Sequence, residues 1–194
     1  MIHSLFPHAL GEYIINYDNT KLMEDLKNYV YVDQNANTGN SRTKDQDFLD
    51  NYKDLKNLIL QKVNEYVKET TTCNVQMKVN SSWATQTDIN SFGSLHHHSN
   101  SVLTAVYYPH GLGNDISVVL LNPVTQSFKI GPYKNTTPFT MGAFTFDARE
   151  GCLIVFPSYI LHSINKNSSN SLRYSIACNL TPQEVHGLND RIGV

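Results

Sequence analysis

Three consecutive histidines, at positions 96, 97 and 98, are the strongest chemical signal in this 194-residue sequence. They lie within residues 95–101, which read LHHHSNS. If this stretch is a β-strand, His96 and His98 project to one face and His97 to the other. Two imidazoles so spaced can bind one metal ion, and imidazole suits iron, zinc, copper and nickel. A third ligand must then come from elsewhere in the chain.

His162 is the best candidate for this third ligand. It lies in the apolar stretch FPSYILHSI at 156–164, where Ile160, His162 and Ile164 share one face of a predicted strand. A buried imidazole needs a polar partner, which is either a metal ion or a hydrogen-bonding group. A histidine triplet in a loop can also be merely solvated, so the spacing alone leaves a metal site and a structural role open.

Two acidic residues, Asp88 and Asp115, are alternatives to His98 as a metal ligand. The remaining histidines lack an apolar strand context, and we expect them on the surface: His3, His8, His110 and His186.

Arg173 lies eleven positions after His162, at the start of the stretch LRYSIACNL. Alternation along a strand places Arg173 and Ser175 on one face. A guanidinium fork and a hydroxyl side by side make a good binding site for a carboxylate. The alternative is a surface arginine on an edge strand.

The elements that must position these side chains come in two groups. Helical spacing predicts a helix over 21–32 and a longer one from Phe48 to Tyr66, with Asp47 as its N-cap and a polar loop at 33–46 between them. Short apolar runs separated by turn signals then predict strands. These lie at 75–79, 101–108, 116–121, 144–147, 152–156, 160–164 and 172–180, with some strand character also at 13–17.

The order of helices followed by strands predicts an α+β protein, with helices supporting a β core shaped as a jelly roll or a similar small barrel. We predict a single domain over 1–194: a helical part at 1–72, a β core at 73–180 and a tail at 181–194. Residues 123–140 hold three prolines and predict a surface excursion, either a hairpin or a lid.

Composition excludes several classes of protein. Apolar residues make up 40% and charged residues 16%, with a net charge of −2, which predicts a globular chain and disfavours nucleic acid as a partner. No secretory signal or membrane span is apparent. The three cysteines show no CxxC spacing, which favours a reducing, cytoplasmic setting, and we expect Cys152 and Cys178 in the core.

The pattern as a whole resembles the 2-oxoglutarate/iron(II) oxygenases, whose motif is His-x-Asp/Glu, a distant His, and then Arg-x-Ser. It is still more similar to a family of these oxygenases found in bacteria and phages. The motifs that carry this resemblance are Ser82-Trp83, HHHSNSVLTAVYY at 96–108, EGCLIVFPSYILH at 150–162 and Arg173-Tyr174-Ser175. His98 stands where most of the superfamily has a carboxylate, and Ser99 stands where the closer family has proline.

The resemblance implies a double-stranded β-helix (jelly roll, cupin-like) and an iron(II)- and 2-oxoglutarate-dependent dioxygenase, most simply a hydroxylase. It implies that His96, His98 and His162 bind iron(II). Arg173 would bind the distal carboxylate of the co-substrate, helped by Ser175 or a tyrosine such as Tyr107. Dioxygen and a substrate that the sequence does not identify complete the reaction. Trp83, Tyr107 and Tyr108 are candidates for lining the cavity, and a bacterial or phage-infected cytosol is the expected location.

Three alternatives remain at this point. A cupin-type metal dioxygenase that does not use 2-oxoglutarate would have a similar histidine site without needing Arg173. A non-catalytic binding module could keep the same barrel. A zinc hydrolase would require a carboxylate general base near the histidines. The sequence does not indicate the oligomeric state.

Overall fold

The computed structural model describes residues 7–35, 39–111, 117–123, 135 and 137–183. The N-terminal part contains β1 (Gly11–Ile14), α1 (Thr20–Asn28), β2 (Tyr31–Asn35), β3 (Asn40–Thr43), a 3-10 turn (Phe48–Asn51) and α2 (Lys53–Thr71). The strands that follow are β4 (Met77–Thr87), β5 (Gly93–His96), β6 (Leu103–Tyr108), β7 (Ser117–Leu121), β8 (Ala143–Asp147), β9 (Cys152–Pro157), β10 (His162–Ile164) and β11 (Arg173–Pro182).

Two antiparallel sheets form the body of the described structure. The larger has the order β1-β9-β6-β11-β4-β3-β2, and the smaller has the order β5-β10-β7-β8. Consecutive strands of the chain alternate between the two sheets from β4 to β7, and again from β9 to β11, which is the winding of a double-stranded β-helix. The predicted fold class, α+β with a jelly-roll core, is confirmed.

The large sheet is buried on both faces. Its outer face packs against α1 and α2, and the predicted stripe on the second helical segment, from Phe48 through Leu55, Ile59 and Val63 to Tyr66, is buried as expected. Its inner face meets the small sheet over a second cluster that includes Val106, Phe146, Phe156 and Ile160.

The phase of β6 decides which of its side chains reach each face. Leu103, Ala105 and Tyr107 belong to the helix-side core, whereas Val106 and Tyr108 belong to the cluster between the sheets. Because successive side chains of a strand point to opposite faces, the two adjacent tyrosines are in different environments.

The prediction of a helix over 21–32 and a loop over 33–46 was wrong in part. The helix ends at Asn28, and β2 begins at Tyr31. The aromatic and β-branched residues from 29 to 32 are better suited to a strand than to a helix. Strands β2 and β3 form an antiparallel hairpin, and β3 extends the large sheet by pairing with β4.

Smaller differences concern element ends. Asp47 does not cap a helix with its side chain, because a 3-10 turn follows it and α2 starts only after Tyr52. The backbone N–H of Leu49 donates to Ser82 Oγ instead. Strand β10 begins at His162 rather than at 160, because Ile160 lies in a turn. The backbone N–H of Ile160 donates to the backbone oxygen of Pro157. Most of the segment predicted as a lid at 123–140 lies outside the described residues.

Cys152 and Cys178 are buried, as predicted. Burial raises the pKa of the Cys152 thiol to about 11 and that of Cys178 to about 12, so neither is a thiolate at neutral pH. In the part of the chain that is described, none of the helices has the length and hydropathy that a membrane-spanning helix requires.

Candidate metal centre and co-substrate cavity

Three histidines predicted from spacing come together between the two sheets. The Cα of His96, the last residue of β5, pairs with that of His162, the first residue of β10. His98 lies beyond the end of β5, so strand alternation does not explain its position beside His96. The ring of His98 nevertheless lies against the rings of His96 and His162. One ligand atom from each residue lies within 4.8 Å of the others, and the ring centroids are 4.3–5.2 Å apart.

Hydrogen bonds to the three rings determine which nitrogen faces the shared space. Nδ1 lies 2.7 Å from Ser94 O in His96, 2.6 Å from Asn179 Oδ1 in His98 and 3.0 Å from Ile160 O in His162. Each partner is an oxygen that can only accept, so each Nδ1 carries a proton and donates it. In a neutral imidazole the lone pair is then on Nε2, and all three rings are oriented as metal ligands.

Burial keeps the imidazoles of His98 and His162 neutral. Desolvation, reinforced by the neighbouring His96, lowers the pKa of His162 to about 3. Desolvation likewise lowers the pKa of His98 to about 4, against the opposing effect of the hydrogen bond that His98 donates to Asn179. At neutral pH these two rings are therefore available to a cation without first losing a proton.

The turn that carries His98 is supported by the segment before His162. The backbone N–H of His98 donates to Ser158 O at 3.0 Å, and that of Ser158 donates to Val102 O. The hydroxyl of Ser158 is 2.9 Å from those of both Thr104 and Ser101. The Phe-Pro-Ser turn at 156–158 thus links the two segments that supply the histidines.

A cavity of about 390 Å³ opens beside the histidines, on the inner face of the large sheet. Trp83 forms part of its wall and stacks on His98, with ring centroids 5.5 Å apart and an interplanar angle of 29°. The remaining lining residues are Asn40, Arg42, Thr85, Gly93, Ser94, His96, His97, Val106, Tyr108, Val118, His162, Ile164, Ser175, Ala177 and Asn179.

Arg173 and Ser175 share a strand face, as predicted, and both are buried. Arg173 Nη2 donates to Asn165 O at 2.9 Å. Burial raises the pKa of the Tyr108 phenol, and the nearby charge of Arg173 opposes this rise. Ser175 lies on the cavity wall. The hydroxyl of Tyr108 is buried and has no hydrogen-bond partner among the described atoms. A buried, unpaired hydroxyl beside a guanidinium is the environment that a carboxylate would complete.

Tyr107 does not reach this cavity, which contradicts the role predicted for it. Its ring lies in the helix-side core, and its hydroxyl donates to Asn19 Oδ1 at 3.0 Å. Tyr108, rather than Tyr107, lines the cavity.

The other histidines and acids are partly accounted for. His110 was predicted on the surface, but it is half-buried with its Nδ1 enclosed, and burial lowers its pKa. Its ring packs against Tyr174, which the short sequence context did not reveal. His8 is exposed, as predicted. Asp88 is not part of the histidine cluster, whereas Asp115, His3 and His186 lie outside the described residues.

Sequence reasoning missed Asn179, Asn40 and Arg42. Asn179 could have been found, because alternation along β11 places it on the face of Ser175. The other two lie on β3, which had no apolar pattern to mark it as a strand.

A double-stranded β-helix with three converging histidines defines a class of mononuclear metal proteins on a jelly-roll barrel. The donor set fits iron(II), since three neutral imidazoles leave room for further ligands on one side of the ion. Residues 81–179, more than half of the chain, match the family model described as "Putative 2OG-Fe(II) oxygenase". The chain belongs to this family of oxygenases, whose metal is iron(II) and whose co-substrate is 2-oxoglutarate.

Solved structures show the same fold at low sequence identity. HygX from Streptomyces hygroscopicus, solved with nickel and 2-oxoglutarate bound, is 12% identical with a TM-score of 0.63, covering 91% of this chain and 84% of that one. The epimerase SnoN from nogalamycin biosynthesis, solved with Fe³⁺, alpha ketoglutarate and nogalamycin RO, is 13% identical with a TM-score of 0.62, covering 90% and 79%. A Pseudomonas putida prolyl-4-hydroxylase is 12% identical with a TM-score of 0.58, covering 91% and 94%.

No curated protein sequence shows a significant match to this chain.

Proposed function

We propose that the protein is a hydroxylase in which His96, His98 and His162 bind iron(II) and Arg173 binds 2-oxoglutarate. The overall reaction is 2-oxoglutarate + O₂ + R–H → succinate + CO₂ + R–OH, in which the co-substrate and the C–H bond are both oxidised. Iron(II), when bound, supplies the activation of dioxygen in this reaction. The protein's own residues bind, orient and shield the reactants, and we propose that they do so as a single domain in the cytoplasm.

The observation that carries the metal assignment is the set of three hydrogen bonds at Nδ1. Ser94, Asn179 and Ile160 each accept from a different ring, and this directs three Nε2 lone pairs to one point. Ordinary core histidines need no such common orientation. Partners of this kind fix the tautomer and the ring angle, and their loss typically costs ten- to a hundredfold in metal affinity.

The co-substrate assignment rests on the surroundings of Arg173. Its guanidinium provides a planar fork for the distal carboxylate, and the unpaired hydroxyl of Tyr108 provides one more donor. Ser175 adds a hydroxyl from the cavity wall. Burial of Arg173 strengthens its interaction with a carboxylate, since water no longer screens the pair.

Apolar side chains shield the site from water. Val106, Val118, Ile164 and Ala177 line the cavity around the polar groups, and Trp83 covers one side of His98. Exclusion of water favours oxidation of a bound substrate over wasteful reactions in solvent.

A zinc hydrolase is the less suitable interpretation of the same histidines. It requires a carboxylate general base beside the metal. None of the described residues lining the cavity is acidic.

The experiment that tests this proposal measures oxygen uptake and succinate formation by the iron(II)-loaded chain over a range of 2-oxoglutarate concentrations. We expect oxygen uptake and succinate formation both to depend on 2-oxoglutarate. Replacing Arg173 with Gln removes a charge-assisted hydrogen bond worth about 1.5–3 kcal/mol, so the concentration required for half-maximal rate should rise roughly ten- to a hundredfold.

The matched control is Arg149→Gln, which should leave that concentration unchanged, because Arg149 is exposed, pairs with Glu12 and is not among the residues that line the cavity. Oxygen uptake that persists without 2-oxoglutarate would instead indicate a co-substrate-independent dioxygenase. Equal 2-oxoglutarate dependence in the two arginine variants would contradict the role of Arg173.

A further inference from the structure

We propose that Arg42, with Trp83 beside it, forms the subsite for an anionic group on the primary substrate, either a carboxylate or a phosphate. This inference deepens the proposed function, because it assumes that the substrate reaches the same cavity as 2-oxoglutarate. Arg42 lies outside the segment that matches the family model, on the β2–β3 hairpin.

The register of the sheet places Arg42 on the cavity face. Its Cα pairs with that of Thr85 on β4, and Thr85 pairs with Ser175 on β11. Side chains opposite one another in antiparallel strands point to the same face. Arg42, Thr85 and Ser175 accordingly form one row across three strands, and all three line the cavity.

The side chain of Arg42 leans towards the metal ligands. Its Cζ lies 5.9 Å from the centroid of the Trp83 ring, and Trp83 in turn stacks on His98. Asn40, on the same strand, also lines the cavity and accepts a hydrogen bond from Thr87. A ligand group held by Arg42 would thus lie next to an aromatic surface that continues to the histidine cluster.

The charge of the cavity wall favours an anion. Among the lining residues that the structure describes, Arg42 carries the only permanent charge, and none is acidic. Among the residues that the structure describes, the candidate metal ligands are three imidazoles with no carboxylate in the cluster. An arginine on a wall without acidic residues among those described attracts ligands of negative charge.

The geometry of arginine narrows the chemistry further. A guanidinium recognises carboxylate and phosphate through two parallel hydrogen bonds, and the indole of Trp83 offers an adjacent planar apolar surface. The subsite therefore suits an acid attached to a flat or apolar body.

Trp83 is the only tryptophan among the 194 residues, so its fluorescence reports on this subsite directly. The chain is loaded with zinc, which has no redox chemistry, and with 2-oxoglutarate, and is then titrated with benzoate, phenyl phosphate or the neutral analogue benzamide. We expect a saturable change in emission with benzoate or phenyl phosphate and none with benzamide. Whichever of the two acids binds more tightly identifies the anionic group.

Variants assign the effect to one side chain. Arg42→Gln should weaken binding of the acid at least tenfold, whereas Arg42→Lys should keep part of the affinity because it keeps the charge. Arg149→Gln, a surface arginine in an ion pair with Glu12, should bind as the parent does. Equal affinity in the parent and Arg42→Gln, equal binding of benzoate and benzamide, or no saturable response to either acid would overturn the proposal.

A separate calorimetric titration of the zinc-loaded chain with 2-oxoglutarate distinguishes the two levels of inference. If 2-oxoglutarate does not bind, but the acid binds and Arg42→Gln weakens its binding, the proposed function alone is contradicted. Normal 2-oxoglutarate binding with no effect of Arg42→Gln would contradict the anionic subsite alone.

Discussion

Tyr107 and Tyr108 are adjacent in the sequence but differ in what their hydroxyls do. The hydroxyl of Tyr107 donates to Asn19 on the helix side of the large sheet. That of Tyr108 is buried on the cavity side without a partner among the described atoms. A buried polar group without a partner costs stability, and such groups in native proteins usually have a function. We attribute this one to binding of the co-substrate carboxylate.

Replacement of each tyrosine by phenylalanine should separate stability from binding. Tyr108→Phe removes an unsatisfied donor, so the free energy of unfolding should be unchanged or higher, while 2-oxoglutarate should bind about tenfold more weakly. Tyr107→Phe removes a satisfied hydrogen bond and should lower the free energy of unfolding by about 1 kcal/mol without changing 2-oxoglutarate affinity. Urea denaturation and calorimetry measure the two quantities. The reverse pattern would assign the carboxylate to Tyr107.

At the level of single residues, the sequence predicted the three histidines that meet between the sheets, whereas the role of Arg173 stays a prediction. His96, His98, His162 and Arg173 were recognisable because a metal-ligand spacing and a strand-face arginine are local patterns. The sequence did not show which of the two tyrosines faces the cavity, because β6 is buried on both faces. Its residues do not alternate between polar and apolar, so the pattern does not show which side chains point to which face. Only the pairing with β9 and β11 establishes it.

The β2–β3 hairpin shows where sequence reasoning about elements stops. Strand β3 is short and polar and reads NSRT, which is typical of a loop. It is a strand because the edge of β4 offers backbone partners, a tertiary effect that outweighs local propensity. The amphipathic helix α2, by contrast, was predictable because its apolar period is long and regular.

The turn between β8 and β9 requires a glycine at position 151, which a substitution can test. Gly151 has φ of +72°, and a Cβ there would lie 2.9 Å from the backbone oxygen of Ile15. The backbone oxygen of Gly151 accepts a hydrogen bond from the N–H of Ile15, and its N–H donates to the backbone oxygen of Tyr108. These two bonds connect the ends of β1, β6 and β9. Gly151→Ala should therefore lower the free energy of unfolding by about 1–3 kcal/mol, as expected for a left-handed position with a backbone contact.

Gly142→Ala is the matched control, because a Cβ at Gly142 would meet nothing within 4 Å. Its effect on the free energy of unfolding should stay within about 0.5 kcal/mol. Denaturant titration of both variants measures the difference. Equal stability of the two would show that the turn at Gly151 is not strained by a side chain.

At the scale of the whole molecule, three layers determine where the site can be. Helices cover the outer face of the large sheet, and the small sheet covers much of its inner face. The space that remains between the sheets receives the ends of β5 and β10 with their histidines, and the inward residues of β11. The sequence pattern predicted helices supporting a jelly roll or a similar small barrel, but the meeting of strand ends depends on register, which periodicity does not encode.

The central claim is that three imidazoles bind one iron(II) ion to which 2-oxoglutarate is added. Its most direct test is anaerobic titration of the chain with iron(II) and 2-oxoglutarate, monitored by the visible charge-transfer absorption that a chelating 2-oxo acid gives on iron(II). His97→Ala is the matched control, since His97 belongs to the same triplet but not to the metal-ligand cluster. We predict one equivalent of iron and a full absorption band in the parent and in His97→Ala, and neither in His162→Ala. An undiminished band in His162→Ala, or its loss in His97→Ala with His162→Ala unaffected, would contradict the account.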